Sequence, residues 1–146
     1  MNSLSALFSV RIGTNKVDVS KKEQIEALWK KLEGKEPEIL VNTAGIYPVF
    51  WMCQHMIRSR LKKGGVIINM SSIEVVMPLK EELSHYDISK AGVMVLSRTL
   101  ASEYGKHGFR INVLVPGGIW TSGTKNLAKE ATKFKLNIIK SGIELI

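Results

Sequence analysis

The stretch LSHYDISKAG places Tyr86 and Lys90 four residues apart, where a polar segment runs into the apolar residues VMVL. Residues at positions i and i+4 share one face of a helix, so the Lys90 ammonium can stand beside the Tyr86 hydroxyl and favour its tyrosinate form. A tyrosine poised in this way can exchange a proton with an alcohol or a carbonyl. The ordinary alternatives are a helix-start tyrosine and a solvated lysine, and the surrounding residues must decide between them.

The elements that position this pair are predicted from apolar periodicity. A helix capped by Ser20 carries apolar residues at 25, 28, 29 and 32 and ends at Gly34. Buried strands at 38–45, 66–72 and 109–118 alternate with helices at 49–63 and 82–104. Continuous apolar strands separated by helices predict an α/β fold, a doubly wound parallel sheet with helices on both faces.

The three strand ends carry small and polar residues. NTAG (42–45) follows the first strand, Ser71 and Ser72 follow the second, and PGG (116–118) follows the third. In a parallel sheet these ends converge on one edge, beyond which ligands bind. Small residues there admit a flat ligand close to the backbone. Taken singly, each feature has a plainer explanation, because glycines make turns and Ser72 can cap a helix.

Composition narrows the class of protein. The 146 residues suit a single domain, 1–146, and Cys53 is the only cysteine, which excludes an internal disulfide and a cysteine-rich metal cluster. The net charge of +8 comes from scattered lysines without interleaved aromatic residues, so we expect solvated helix faces and no nucleic-acid partner. No uncharged apolar run is long enough for a membrane span. We expect a soluble, cytoplasmic protein without a metal.

Five motifs in this order resemble the short-chain dehydrogenase/reductase family. They are KVDVS (16–20), LVNTAG (40–45), INMSS (68–72), YDISK (86–90) and PGGIWT (116–121), and Ser72 precedes Tyr86 by 14 residues. The resemblance implies a Rossmann-like fold, a nicotinamide cofactor that is NAD or NADP, and a small alcohol or carbonyl substrate. It assigns catalysis to Ser72, Tyr86 and Lys90. The cofactor contacts it implies are Asp18, Val19, Asn42, Ala44, Gly45, Tyr86, Lys90, Pro116, Gly117, Ile119 and Thr121.

The chain also departs from the family pattern, so the Rossmann-like sheet is expected to be incomplete. Residues 1–15 lack the glycine-rich turn that holds a pyrophosphate, the segment with the catalytic asparagine is missing between Pro48 and Val49, and 123–146 resembles only part of the substrate-covering lobe. The part of the chain that resembles the family is therefore residues 16–122. The missing strands would leave an edge of the sheet open. Either a substitute strand at 7–12 or a partner chain covers that edge, or the 146 residues are an incomplete product.

Two functions stay open at this point. One is an oxidoreductase that uses tyrosine as the acid and base. The other is a truncated, catalytically inactive remnant, or a binding and assembly subunit. A homo-oligomer through the helices at 49–63 and 82–104 is implied by the resemblance in either case.

Overall fold

The computed structural model describes residues 13–78 and 81–119, and helices and strands alternate along them. In chain order they are α1 (Lys22–Lys31), β1 (Ile39–Asn42), α2 (Ile46–Arg60), β2 (Gly65–Met70), α3 (Ser84–Tyr104) and β3 (Phe109–Leu114), with 3-10 turns at Ile73–Val75 and Gly105–His107. The predicted alternation is confirmed. The strand expected at 7–12, the partial lobe at 123–146 and Thr121 lie outside the described residues.

The strands form a parallel sheet in the order β1-β2-β3. Asn42 is level with Asn69, and Asn69 is level with Val113, so the carboxyl ends of all three strands lie along one edge. This confirms the predicted convergence of the strand ends. The segment after β2 is also joined to the end of β3, because the Ser71 amide donates to the Leu114 carbonyl at 2.8 Å.

The described helices pack on one face of the sheet, where the core lies. Leu40, Ile67 and Phe109 are buried there against residues of the helices. Both strand connections pass in the same direction across the sheet, and right-handed crossovers then place α2 and α3 on the same side. On the opposite face Ile39 is 59% exposed and Val41 is 55% exposed. The expectation of helices on both faces is therefore met on one face only, within residues 13–78 and 81–119.

A buried polar chain joins the sheet to α3 beneath the strand ends. The Asn42 amide donates to Asn69 Oδ1 at 2.8 Å, the Asn69 amide donates to Ser97 Oγ at 2.8 Å, and Ser97 donates to the Val93 carbonyl at 2.7 Å. The Cys53 thiol packs against both asparagines, and burial raises its pKa to about 11. Buried polar groups satisfied by one another fix the relative position of the elements that carry them.

The start of each of the three helices differs from the sequence prediction. Ser20 does not cap α1: Lys21 is the N-cap residue, and the Ser20 hydroxyl donates to the Asp18 carboxylate at 2.6 Å in a local turn. Helix α2 begins at Ile46 rather than at 49, since Pro48 falls in the first turn, where a missing backbone donor costs little. Helix α3 begins after Glu82, whose φ of 64° is incompatible with a right-handed helix.

Candidate active site

Tyr86 and Lys90 lie one turn apart on α3 and face each other, as their spacing predicts. The Lys90 Nζ atom lies 5.8 Å from the centroid of the Tyr86 ring, and Lys90 is buried while Tyr86 is 36% exposed. A cation at this distance from an aromatic ring is attracted by the ring's electrons. Burial lowers the pKa of Lys90 from its ordinary value. The pair therefore combines a buried cation with a phenol that is open to a ligand.

The Lys90 ammonium is held by three backbone carbonyls at the strand ends. Its Nζ atom lies 3.0 Å from the Met70 oxygen, 3.1 Å from the Ala44 oxygen and 3.3 Å from the Thr43 oxygen. An ammonium group has three donors, and each finds an acceptor here. Lys90 thus joins the end of β1 to the end of β2 and is fixed at the edge where a ligand of a parallel sheet binds.

Ser72 lies at the same edge and caps the 3-10 turn that follows β2. Its Oγ atom accepts from the Glu74 amide at 3.3 Å, and the side chain is buried. The neighbouring Ser71 hydroxyl donates to the Lys90 carbonyl at 3.0 Å, which links β2 to α3. The plainer interpretation of Ser72 as a cap is thus correct, and the cap lies at the strand end that the motif predicted.

The segment after β3 is hydrogen-bonded to the turn that follows Ser72. The Pro116 carbonyl accepts from the Ile73 amide at 3.0 Å. There is open space beside the two glycines that follow, because a Cβ atom at Gly117 or at Gly118 would meet no heavy atom within 4 Å. The Ile119 residue is 60% exposed. The PGG turn therefore leaves room for a flat group beside the strand ends.

Asp18 and Val19 lie in the exposed turn before α1. The Asp18 carboxylate accepts hydrogen bonds from the Ser20 hydroxyl and the Ser20 amide, and these bonds lower its pKa. Val19 is 40% exposed. Both residues remain available to a ligand, although the described contacts of the Asp18 carboxylate are local to its own turn.

The NTAG segment divides into a buried and an accessible part. The Asn42 side chain is 6% exposed and is used by Asn69 inside the fold, so only its backbone remains for the cofactor contact that the resemblance implies. Ala44 and Gly45 are half-buried, and their backbone lies beside Lys90 and the start of α2.

Sequence reasoning did not predict two serine hydrogen bonds that connect this site, although it placed Ser71 at a strand end. One is that of Ser71, described above. The other is that of Ser89, whose Oγ atom accepts from the Ile46 amide at 3.1 Å across 43 residues of sequence. No local signal in the sequence indicated this contact, because Gly45 becomes the N-cap of α2 only in the structure, where that start has no side-chain cap of its own and takes an acceptor from elsewhere.

The described residues contain no group of three or more His, Cys, Asp or Glu side chains that could hold a metal ion. None of the helices within 13–78 and 81–119 is long and apolar enough to cross a membrane.

Comparison with known proteins agrees with this geometry. The family model described as Enoyl-(Acyl carrier protein) reductase matches residues 46–141. The chain is 38% identical over 103 residues to the short chain dehydrogenase/reductase astE of Aspergillus oryzae, a match that covers 70% of this chain and 36% of that protein.

Two solved structures share the fold. A putative short-chain dehydrogenase/reductase from Burkholderia xenovorans gives a TM-score of 0.75 at 22% identity, covering 83% of this chain and 58% of that chain. Acetoin dehydrogenase YohF from Salmonella typhimurium gives a TM-score of 0.70 at 27% identity, covering 81% and 59% respectively. The chain therefore spans less than two thirds of the length of each of these proteins. The family model fits more than half of the chain. The motifs LVNTAG, INMSS, YDISK and the described residues of PGGIWT lie at the strand ends and on α3. The chain therefore belongs to the short-chain dehydrogenase/reductase family.

Proposed function

We propose that this chain is an oxidoreductase that interconverts an alcohol and a carbonyl group of a small molecule with NAD or NADP. The observation that carries the proposal is the position of Lys90. Its ammonium is fixed by three carbonyls at the ends of β1 and β2, one helical turn from a Tyr86 side chain that is 36% exposed. A solvated surface lysine would have neither the burial nor these partners.

Each residue of the proposed trio has a role that its contacts support. Tyr86 gives a proton to the carbonyl oxygen during reduction and takes it back from the alcohol during oxidation. Lys90 stabilises the tyrosinate through its positive charge. The Ser72 hydroxyl accepts from the Glu74 amide and keeps its own proton, which it donates to the same substrate oxygen.

The residues at the tyrosine end of the site fit the flat nicotinamide ring of a dinucleotide. The open space beside Gly117 and the exposed face of Tyr86 leave room for the ring. The Lys90 ammonium already donates to three carbonyls, so it would bind a ribose hydroxyl in exchange for one of them. A bound nicotinamide supplies or accepts the hydride. The residues that would hold the dinucleotide are Asp18, Val19, the Asn42 backbone, Ala44, Gly45, Lys90, Pro116, Gly117, Ile119 and Thr121.

The proposal extends to location and assembly. A cytoplasmic protein agrees with an unpaired, buried Cys53. A homo-oligomer through α2 and α3 agrees with their exposed apolar side chains, among them Tyr47 at 71% and Val95 at 53% exposure. Light scattering at several protein concentrations tests the assembly, and a purely monomeric species would contradict it.

The test is hydride transfer by the purified chain with NADH and NADPH against a panel of aldehydes and ketones. We expect loss of reduced-dinucleotide absorbance that depends on the carbonyl. Lys90→Met should lower the rate by about 100-fold or more, a typical contribution of acid–base machinery, whereas the exposed Lys106→Met should not change it. Saturable dinucleotide binding without turnover would support the binding-subunit alternative, and the absence of both binding and turnover would contradict any nicotinamide function.

A further inference from the structure

The start of α2 packs directly against α3, the helix that carries Tyr86. A side chain of α3 supplies the hydrogen-bond acceptor that caps α2. Gly45, the N-cap residue of α2, offers no side chain, and the first turn of α2 has no acidic residue. The Ile46 amide donates instead to Ser89 Oγ at 3.1 Å. The first amides of a helix have no partner within the helix, so an acceptor from outside stabilises that end.

The fit between the two helices is close at two points that are one turn apart on α3. A Cβ atom on Gly45 would lie 3.1 Å from Ser89 Oγ, and a Cβ atom on Gly92 would lie 3.3 Å from Ile46 Cγ1. Both separations are tighter than ordinary van der Waals contact. The glycines therefore let α3 approach the NTAG turn closely, and the Ser89 hydrogen bond fixes how far it slides along that turn.

The residue after Ser89 is Lys90, whose ammonium donates to the Thr43 and Ala44 carbonyls of the same NTAG turn. The ammonium and the Ser89 hydroxyl thus form hydrogen bonds at opposite ends of one short segment, from Thr43 to Ile46. Any shift of α3 against this turn changes the distances from Lys90 to its carbonyl partners.

We propose that Ser89 is a positioning residue, which sets the place of the Lys90 ammonium by binding the Ile46 amide at the start of α2. The inference rests on the proposed function, since Lys90 matters to catalysis only if Tyr86 transfers a proton. In this proposal Ser89 acts through Lys90, because its hydroxyl is bonded to the Ile46 amide.

The test compares Ser89→Ala and Ser89→Thr with Ser102→Ala, which removes an exposed hydroxyl from the same helix. The first readout is proton exchange of the Lys90 ammonium with water, followed by nitrogen-15 NMR of the full chain and assigned from the signal lost in Lys90→Met. We expect exchange about three- to tenfold faster in Ser89→Ala, the equivalent of one hydrogen bond, with Ser89→Thr and Ser102→Ala close to the wild type.

The second readout is turnover. We expect kcat to fall about tenfold in Ser89→Ala, with KM for the carbonyl nearly unchanged and recovery in Ser89→Thr, because a small misplacement of a reacting group lowers the rate. Unchanged Lys90 exchange in Ser89→Ala, or changed exchange with unchanged kcat, would overturn the inference. A wild-type chain without turnover would contradict the proposed function, while the Lys90 exchange rates would still decide whether Ser89 positions that ammonium.

Discussion

Replacing Lys90 by methionine is expected to destabilise the free protein as well as the reaction. The substitution keeps the aliphatic length of the side chain and removes the ammonium, which leaves the carbonyls of Met70, Ala44 and Thr43 without this donor. Hydrogen bonds to a charged group contribute about 1.5–3 kcal/mol each, and losing three would cost several kcal/mol if nothing offset the loss.

Two effects reduce that cost. The methionine avoids the desolvation penalty of a buried ammonium, the same penalty that lowers the pKa of Lys90. Water can also reach carbonyls that lie at the open edge of the sheet. We therefore expect the free energy of unfolding to fall by about 2 kcal/mol, against a change within about 0.5 kcal/mol for Lys106→Met, an exposed lysine.

Urea unfolding of both variants at pH 7, followed by circular dichroism, measures this difference. Equal stability of Lys90→Met and the wild type would refute the argument that the ammonium holds the strand ends together. A loss as large for Lys106→Met would show that the effect is not specific to the buried position.

The pH dependence of the same experiment has a defined sign. Because burial lowers the pKa of folded Lys90 below the ordinary 10.5, the unfolded chain holds more protons between the two values. The free energy of unfolding therefore gains a contribution that rises with pH in that window. Lys90→Met should lack this rise.

Two further outcomes follow from backbone geometry and burial. Gly64→Ala should destabilise the fold by about 3 kcal/mol or more in urea unfolding, since the φ of Gly64 is 67° and the added Cβ would clash with the Gly108 backbone. Gly105→Ala adds a Cβ in open space and should be close to neutral. Equal effects of the two substitutions would contradict this reasoning. The Cys53 thiol, buried and with a pKa raised to about 11, should react with a thiol reagent at pH 8 only after unfolding, and rapid reaction of the native protein would contradict its burial.

Periodicity and strand-end composition were enough to predict the architecture near the site. The apolar strands and the spacing of Tyr86 and Lys90 depend on local geometry, since a period of two or of four residues fixes which side chains share a face. The convergence of the NTAG, serine and PGG segments followed from the parallel arrangement alone.

The features that sequence did not reveal have several causes, among them a competing partner nearby in the chain and a partner distant in the chain. Ser20 has a local competitor, the Asp18 carboxylate, and turns toward it instead of capping α1. Ser89 caps a helix that begins 43 residues before it, and no local pattern encodes that contact. Within the part of the chain that the structure describes, the helices lie on one face of the sheet because both connections cross it in the same direction, which composition does not report.

The central claim is that Tyr86 transfers a proton, and replacing it by phenylalanine tests this most directly. The substitution removes one hydroxyl group, and Tyr47→Phe is the matched control, because that side chain is 71% exposed on α2. We expect kcat for carbonyl reduction to fall by about 100-fold or more in Tyr86→Phe, with dinucleotide affinity retained, and to stay near the wild-type value in Tyr47→Phe. Wild-type turnover by Tyr86→Phe would contradict the claim.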